Sequence, residues 1–499
     1  MEFHPTPDAF RQLAAQGNLI PVSAEFVADG ETPVSAFHKL NDGGPAFLLE
    51  SAEHLDKGGR YSFLGTEPRA IFESRGRIIK ITDETGTRTF ETESDPLAEL
   101  ERLMERYKPV PMEGLPRFTG GAVGFLGYDV VRFFEPSVPA APPDAQDLPE
   151  SVFFIAETLL VFDHQRRRLR IVSNAHVEGD PDAAYRAACG KIEAVFAKLQ
   201  RTGSLPVIDI GTKVNSTEPR SNTTQAEYMA MVEKAKEFIR AGDAFQVVPS
   251  QRFETEYTGD PLTLYRCLRF VNPSPYLFCL QFGNGFSIVG SSPEVHVRAI
   301  DGKVEIRPIA GTKPRGATEE QDGQNARLLL ADPKERAEHV MLVDLARNDV
   351  GRIADYASVR VTDFMTIERY SHVMHIVSNV EGRLREGSTP YDVMRATFPA
   401  GTVSGSPKVR AMQIINELEK NKRGVYAGAI GYFGFDGHHD SCIALRTVVL
   451  KNGMASVQAG AGVVADSDPA SEHQECVNKA MGMMRAIELA KAVEGTRGK

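Results

Sequence analysis

A nine-residue pattern occurs twice in the chain, and it limits the folds that the chain can adopt. It reads GAVGFLGYD at 121–129 and GAIGYFGFD at 428–436. Glycines spaced three apart, with aromatic side chains between them, are typical of a strand that another backbone approaches closely. Neither copy has the strand-to-helix context of a nucleotide-binding glycine loop. A similar sheet element is therefore predicted in each half of the chain, as after an internal duplication.

The distribution of apolar and polar residues along the chain favours an α+β fold. Apolar residues recur at helical spacing over 225–240, whereas alternating apolar and polar residues over 295–300 and 448–457 predict strands. Another helix is predicted over 7–16, with Thr6 as its cap. Helices and strands do not alternate regularly, so a parallel α/β sheet is disfavoured. We predict large antiparallel β-sheets with helices on their outer faces.

A polar stretch at 202–224, rich in proline, glycine, serine and threonine, separates two parts of the chain. We place the boundary between an N-terminal domain, 1–215, and a C-terminal domain, 216–499, and we expect the two domains to be intertwined. With 499 residues, the chain is long enough for each part to bury a core.

Composition disfavours several classes of function. A net charge of -10 gives no general attraction to nucleic acid or to an anionic membrane. No apolar stretch has the length of a membrane span, and the first residues lack a secretion signal, so a cytoplasmic location is predicted. The five cysteines are scattered, without the paired spacing of a zinc site or a disulfide framework.

Two pairs of glutamates carry the candidate chemistry: Glu335 with Glu338, and Glu472 with Glu475. Each pair follows an Asp-Pro that is suited to begin a helix, and residues three apart share one helix face. If the two faces meet, their carboxylate oxygens form the kind of site that Mg²⁺ accepts. The alternative is that these acids only complement the helix dipole in the first turn.

Four motifs accompany the glutamates in a fixed order: PIAGT at 308–312, DLARND at 344–349, GTVSGSP at 401–407 and QAGAG at 458–462. Their small, glycine-rich turns expose backbone N–H groups and fit an anionic ligand. This set resembles the chorismate-binding enzyme family and, within it, the large-subunit family of the anthranilate synthases. The resemblance spans 225–490 for the catalytic part, and it extends to the N-terminal part through 48–51 and 121–129.

The resemblance implies a fold and a reaction. The fold is a two-lobed sandwich of antiparallel sheets, with regulatory elements in the N-terminal domain. In the reaction, ammonia adds to chorismate at ring carbon 2, the 4-hydroxyl group leaves, and elimination of pyruvate gives anthranilate. Because no glutaminase domain is recognisable in the chain, we expect the ammonia to come from a separate glutamine amidotransferase subunit within a hetero-oligomer.

The resemblance also implies roles for the acidic residues. Glu338 and Glu475 would be direct ligands of Mg²⁺, while Glu335 and Glu472 would hold it through bound water. Glu294 corresponds to the acid that protonates the departing hydroxyl group.

Other residues are expected to contact the substrate. His375 matches the position that is tied to pyruvate elimination. Tyr426 and Arg446 would hold the enolpyruvyl carboxylate, for which a guanidinium is well suited. Shorter backbone and side-chain contacts are expected from Gly311, Thr312, Gly460, Gly462 and Lys479, of which Thr312 is also counted with the catalytic residues.

Two positions distinguish related activities. Isochorismate synthases, which use water as the nucleophile, carry a lysine at the position of Gln246, and a neutral amide cannot act as that base. Gln246 is therefore counted with the catalytic residues. Aminodeoxychorismate synthases often carry a lysine at the position of Ala310. Both differences favour anthranilate as the product.

A regulatory site for tryptophan is implied by two further motifs. Its residues would be Glu50, Ser51, Asn272, Pro273, Pro275 and Tyr276. Glu50 would contact the ammonium group of the ligand. The alternative interpretation of 272–276 is a turn that is simply fixed by its prolines.

Three other functions stay open. The nearest is aminodeoxychorismate synthase component I, which releases a product without eliminating pyruvate. A different class is a non-catalytic regulator that binds aromatic amino acids. Without the resemblance, the glutamates would also suit a Mg²⁺-dependent enzyme acting on some other dicarboxylate.

Overall fold

A computed structural model describes residues 1–27, 29–51, 59–203, 205–209, 211, 219–370 and 373–495. The predicted domain boundary between 215 and 216 lies outside these residues. Strands on either side of that position share both of the large sheets in the described part of the chain.

The helices follow signals that the sequence carries locally. Helix α1 has Thr6 as its cap and ends at Leu13, three residues earlier than predicted, while α6 has the predicted bounds. Aspartate or threonine side chains cap most of the others. The α-helices of the described residues are α1 Pro7–Leu13, α2 Pro33–Leu40, α3 Pro96–Met104, α4 Val131–Phe134, α5 Pro181–Leu199, α6 Gln225–Arg240, α7 Pro261–Val271, α8 Glu319–Ala331, α9 Pro333–Ile353, α10 Pro390–Thr397, α11 Lys408–Leu418 and α12 Pro469–Gly495.

The strands of the described residues are β1 Leu19–Val27, β2 Ala46–Glu50, β3 Tyr61–Thr66, β4 Ala70–Arg75, β5 Ile78–Asp83, β6 Gly86–Glu91, β7 Gly121–Leu126, β8 Ser151–Ala156, β9 Thr158–Asp163, β10 Arg168–His176, β11 Arg220–Ser221, β12 Gln246–Val247, β13 Ser250–Glu256, β14 Tyr276–Gly283, β15 Phe286–Ser292, β16 Val295–Ile300, β17 Lys303–Ile306, β18 Ile309–Pro314, β19 Arg360–Arg369, β20 Val373–Arg383, β21 Gly405–Ser406, β22 Ala429–Gly434, β23 His439–Ile443, β24 Thr447–Lys451 and β25 Met454–Gly460. The predicted run at 448–457 is thus a hairpin, turning at Asn452 and Gly453, which both have positive φ.

Two antiparallel sheets form the body of the described chain. The eleven-stranded sheet has the order β1-β10-β9-β3-β2-β14-β15-β24-β25-β13-β11. The twelve-stranded sheet has the order β18-β20-β17-β16-β23-β22-β7-β8-β4-β5-β6, with β19 also paired to β20. A short pair, β12 with β21, lies apart from both.

The two sheets face each other across an apolar core. Phe278 and Ile288 of the first sheet pack in one buried cluster with Phe125 and Ile430 of the second. A second cluster joins the other face of the eleven-stranded sheet to α5, α6, α7 and α12. The predicted α+β class, with antiparallel sheets packed as a sandwich and helices on the outer faces, is confirmed.

The repeated glycine pattern forms the centre of the twelve-stranded sheet. Strands β7 and β22 pair so that Gly124 lies opposite Gly431. A Cβ atom at Gly124 would lie 1.9 Å from the Val152 carbonyl oxygen, and one at Gly431 would lie 2.1 Å from the Asp440 carbonyl oxygen. The pattern is therefore structural, and the two copies meet as neighbouring strands.

Candidate active site

The two acidic helix openings are capped by aspartates, not by the glutamates. Asp332 accepts hydrogen bonds from the backbone N–H groups of Lys334 and Glu335, at 2.9 and 3.3 Å. The Asp332 N–H itself donates to the Leu329 carbonyl oxygen, so a reciprocal capping box with Glu335 does not form. At α12, Asp468 caps in the same way, accepting from Ser471 at 2.9 Å. The glutamate side chains are thus not used as caps.

The carboxylates of the two openings lie close enough to influence one another. Burial raises the pKa of Glu338 most, and the negative charges of Glu335 and Glu475 raise it further. Burial likewise raises the pKa values of Glu335 and Glu472, and the negative charge of Glu475 raises both pKa values further. The glutamates near the starts of α9 and α12 therefore lie within electrostatic reach of one another, and a cation shared between them stays a prediction.

The donor set fits a hard divalent cation. Carboxylate oxygens are the ligands that Mg²⁺ prefers, and a cation would relieve the repulsion that raises these pKa values. Among the described residues, no three His, Cys, Asp or Glu side chains are already spaced as a closed metal cage. Lys479 donates to Glu475 at 2.7 Å, so one carboxylate already has a cationic partner.

Strand β18 passes directly beside the first opening. Gly311 has φ +64 at an irregular point of the strand, and a Cβ atom there would lie 2.9 Å from Glu335 Oε2. Glycine is needed at this position because the backbone is left-handed and space beside the carboxylate is short. The exposed Thr312 follows, opposite His375 on β20.

The hydrogen bonds of His375 fix its tautomer. Its Nδ1 lies 2.9 Å from the Gly311 carbonyl oxygen and 3.1 Å from Thr312 Oγ1. A carbonyl oxygen can only accept, so Nδ1 carries the hydrogen and Nε2 retains a lone pair. Burial lowers the pKa of His375; the hydrogen bond to Gly311 partly offsets this, and the nearby Arg446 charge lowers the pKa further. His375 is therefore a neutral imidazole near pH 7, able to accept a proton.

Glu294 has the environment of a general acid. It follows β15, and burial raises its pKa to about 7, while the Thr402 hydroxyl and the Lys479 charge act in the opposite direction. A carboxyl group with this pKa is substantially protonated at neutral pH, so it can donate a proton. Thr402 belongs to the GTVSGSP motif, but nothing in the motif indicates its effect on Glu294.

A second cluster surrounds the QAGAG turn. A Cβ atom at Gly460 would lie 2.9 Å from Tyr426 Oη, and one at Gly462 would lie 2.5 Å from Gln246 Nε2. Lys479 donates to the Gly460 carbonyl oxygen at 3.1 Å, which joins this cluster to Glu475. The buried Gln246 Oε1 has no hydrogen-bond partner among the described residues. These close approaches explain why two glycines are needed here.

Arg446 is a half-buried residue in a strained backbone position. Its φ is +46, which is unfavourable for a residue with a side chain. Its Nη1 donates to Asn272 Oδ1 at 2.9 Å. Burial lowers its pKa, and no carboxylate among the described residues pairs with it. Such a group suits an anionic ligand, because the ligand would supply the missing negative charge.

A buried ion pair that the sequence reasoning missed supports this region. The Arg423 and Glu419 side chains are 1% and 5% exposed, with the closest N–O distance 2.6 Å. Arg423 also donates to the Val403 and Val248 carbonyl oxygens, at 2.8 and 2.6 Å, and lies over the Tyr426 ring. The pair therefore fastens together the segments that carry Thr402, Gln246 and Tyr426.

The predicted regulatory residues also come together. Pairing of β14 with β2 places Leu277 opposite Glu50, so the end of β2 that leads to Ser51 lies next to the start of β14 at Tyr276, where the 272–275 turn enters the strand. Glu50 accepts from Tyr265, and its other oxygen lies 3.5 Å from Arg269. Tyr276 donates to Asp440 at 2.7 Å. Both oxygens of Glu50 thus already have partners in this structure. Residues 52–58, which follow Ser51, lie outside the described residues.

Comparison with known proteins identifies the family. Residues 44–485 match the chorismate binding enzyme family. Anthranilate synthase component 1 of Acetivibrio thermocellus is 46% identical over 98% of this chain and 99% of its own length. The chain belongs to the anthranilate synthase component 1 family of chorismate-binding enzymes. The protein of that name from Aquifex aeolicus (strain VF5) is 47% identical over 96% of this chain and 97% of its own length.

A solved structure supports the same assignment. The crystal structure of anthranilate synthase component I from Streptococcus pneumoniae TIGR4 superimposes with a TM-score of 0.75 and 38% identity, covering 92% of this chain and 98% of that one. The sandwich and its helices are therefore those of the anthranilate synthase component 1 family. None of the helices in the described ranges has the length and apolar character needed to cross a membrane.

Proposed function

We propose that this chain catalyses the Mg²⁺-dependent conversion of chorismate and ammonia into anthranilate, pyruvate and water, as the first committed step of tryptophan synthesis. One arrangement carries the proposal: Gly311 lies against Glu335 at the start of α9, and its carbonyl oxygen accepts from His375. Arg446, which has no acidic partner among the described residues, lies close enough to His375 for its charge to lower the histidine pKa. The names of the relatives support the same activity. Because the chain carries both glutamate pairs together with His375 and Arg446, a non-catalytic regulator is disfavoured.

Mg²⁺ is the cofactor in this proposal, and Glu338 and Glu475 would hold it, with Glu335 and Glu472 acting through water. When bound, it supplies a Lewis acid that holds the ring carboxylate and withdraws electron density from the ring. Glu294 donates a proton to the departing 4-hydroxyl group, which leaves as water. His375 Nε2 is free to accept a proton during pyruvate elimination.

The remaining residues orient the substrate. Arg446 and Tyr426 bind the enolpyruvyl carboxylate, and Lys479 lies between the metal-binding carboxylates and the QAGAG turn. Gln246 lines the site as a neutral amide, which favours ammonia over water as the nucleophile. Short contacts that leave room for the chorismate ring come from Gly311, Thr312, Gly460 and Gly462.

The partners and location are part of the same proposal. A separate glutamine amidotransferase subunit would supply ammonia in a hetero-oligomer, because the family name "component 1" implies a second component. Tryptophan would inhibit by binding beside Ser51 and the turn at 272–276. The five cysteines are free thiols, which suits the reducing cytoplasm. Neither nucleic acid nor membrane is expected as a partner.

One assay tests the proposal. The purified chain is incubated with chorismate, Mg²⁺ and ammonium at mildly alkaline pH, and anthranilate fluorescence is followed with and without EDTA. We expect fluorescence that EDTA abolishes and an equal amount of pyruvate. Aminodeoxychorismate synthase activity would instead consume chorismate without fluorescence or pyruvate. No consumption of chorismate at all would contradict both functions.

Replacing His375 with alanine is expected to separate the two halves of the reaction. Loss of the Nε2 lone pair should slow pyruvate release by about a hundredfold, as for other general bases, while chorismate is still consumed. The ratio of pyruvate formed to chorismate consumed measures this effect. The exposed His38→Ala variant is the control and should keep a ratio of one. If His375→Ala slows chorismate consumption and pyruvate release equally, the step assigned to His375 is contradicted.

Replacing Ser51 with phenylalanine is expected to relieve inhibition by tryptophan. A bulky ring beside the turn at 272–276 should fill space needed by the ligand, and overpacking of this size should raise the inhibitory concentration about tenfold or more. Chorismate turnover without tryptophan should be unchanged. The exposed Ser94→Phe variant is the control. Unchanged inhibition of Ser51→Phe would show that the regulatory site lies elsewhere.

A further inference from the structure

Asn272 links the predicted regulatory turn to the predicted substrate site. It lies directly after α7, where its backbone N–H ends the helix by donating to the Leu268 carbonyl oxygen at 2.8 Å. Its side-chain oxygen accepts from Arg446 Nη1 at 2.9 Å. Asn272, a predicted tryptophan contact, therefore binds the guanidinium of Arg446, a predicted substrate contact.

Ser291 fixes the orientation of the Asn272 amide. The Ser291 hydroxyl donates to the Asn272 carbonyl oxygen, so its own oxygen is left to accept from Asn272 Nδ2, at 3.3 Å. The amide NH₂ group therefore faces Ser291 and the amide oxygen faces Arg446. Ser291 is fully buried, and its N–H donates to the Arg446 carbonyl oxygen at 3.1 Å. One serine thus holds both partners of the contact.

The chemistry of the contact matters as much as its geometry. An amide oxygen restrains one arm of the Arg446 guanidinium without cancelling its positive charge. A carboxylate at the same place would form an ion pair, and the guanidinium would then have less attraction for a substrate carboxylate. The positive φ of Arg446 means that its position depends on such restraints and not on an intrinsic backbone preference.

We propose that Asn272 is a positioning residue for substrate binding, whose amide oxygen aims the Arg446 guanidinium at a carboxylate of the substrate while leaving its charge available. This inference rests on the proposed function, because it assumes that Arg446 binds chorismate. It also assigns the turn at 272–276 a role in the active site itself, whether or not tryptophan binds there.

Two variants of Asn272 test the proposal. Asn272→Ala removes a hydrogen bond to a charged group, and we expect the KM for chorismate to rise about tenfold with kcat changed by no more than about twofold. Asn272→Asp keeps the size and shape of the side chain but adds a charge, so we expect a larger rise in KM. The buried Asn174→Ala, which removes an amide that donates to Thr119 and Glu157, controls for a general loss of stability and should leave KM unchanged.

A double-mutant cycle with Arg446→Lys separates positioning from a purely structural role. If Asn272 acts through the guanidinium, Asn272→Ala should have little further effect on KM in the Arg446→Lys background. Additive effects, or a KM for Asn272→Ala that matches that of Asn174→Ala, would overturn the proposal. If the wild-type chain fails to convert chorismate, the proposed function fails, and calorimetry of chorismate binding still decides the role of Asn272: an equal Kd for wild type and Asn272→Ala overturns it.

Discussion

Replacing either Glu338 or Glu475 with glutamine is expected to reduce anthranilate formation about a thousandfold or more while the fold stays intact. The physical reason is that each substitution removes a charged ligand from the proposed Mg²⁺ site, and Lewis-acid stabilisation is worth several kcal/mol. The measurement is the initial rate of anthranilate fluorescence at saturating chorismate, ammonium and Mg²⁺, with circular dichroism as the check on folding.

Thermal stability gives a readout that does not depend on turnover. Burial and neighbouring negative charges raise the pKa of Glu338, so its ionised form destabilises the fold at pH values above that pKa. Without Mg²⁺, Glu338→Gln should therefore be at least as stable as the wild type at pH 8. Added Mg²⁺ should raise the Tm of the wild type but not of the variant, because ligand binding stabilises only a fold that binds it.

The matched control for this prediction is Glu320→Gln. Glu320 is an exposed acid near the start of α8, so it tests the alternative that glutamates near a helix N-terminus only complement the helix dipole. We expect Glu320→Gln to keep full activity and the full Tm increase with Mg²⁺. If Glu338→Gln behaves like Glu320→Gln in both measurements, the assignment of a shared metal site is wrong.

Replacing Glu294 with glutamine is expected to lower the rate of chorismate consumption about a hundred- to ten-thousandfold, which is the usual contribution of a general acid. Burial raises the pKa of Glu294 to about 7. Below this pH the carboxyl group is protonated and can donate to the departing hydroxyl group. The acid-dependent step of the wild type should therefore slow as the pH rises through about 7, when measured at a constant concentration of free ammonia.

The stability of the same variant has a defined pH dependence. The folded pKa of Glu294 lies above its ordinary value of 4.5, so the group costs stability as pH rises from about 4.5 to about 7 and above. Glu294→Gln should remove this cost and be more stable than the wild type at pH 8, with little difference at pH 4.5. Chorismate consumption within tenfold of the wild type, or an unchanged pH dependence of that rate, would contradict the role of Glu294.

Local signals were enough to predict much of the secondary structure. Thr6 and Asp332 cap the helices that follow them, because their side chains bond to backbone N–H groups only two or three residues away. The repeated glycines predicted a close approach of strands, which the pairing of Gly124 with Gly431 confirms. The run at 448–457 was harder, since its turn residues, Asn452 and Gly453, interrupt the alternating pattern for only two positions.

Long-range contacts set the limit of that reasoning. The contact between Asn272 and Arg446 joins residues 174 positions apart, and no pattern within either segment indicates it. The spacing of Glu419 and Arg423 is that of a pair on an exposed helix surface, yet both side chains are buried. The spacing of each glutamate pair predicts a shared helix face, but the approach of the two pairs depends on the separate packing of α9 against β18 and β20 and of α12 against β25, α6 and α7.

Anomalous diffraction from crystals soaked with Mn²⁺ in place of Mg²⁺ would test the central claim most directly. The account predicts one anomalous peak between the N-terminal two turns of α9 and those of α12, within about 2–2.5 Å of a carboxylate oxygen of Glu338 and of a carboxylate oxygen of Glu475. A peak that contacts only one of the two helices would contradict it. So would the absence of a peak in this region when Mn²⁺ is bound elsewhere in the crystal.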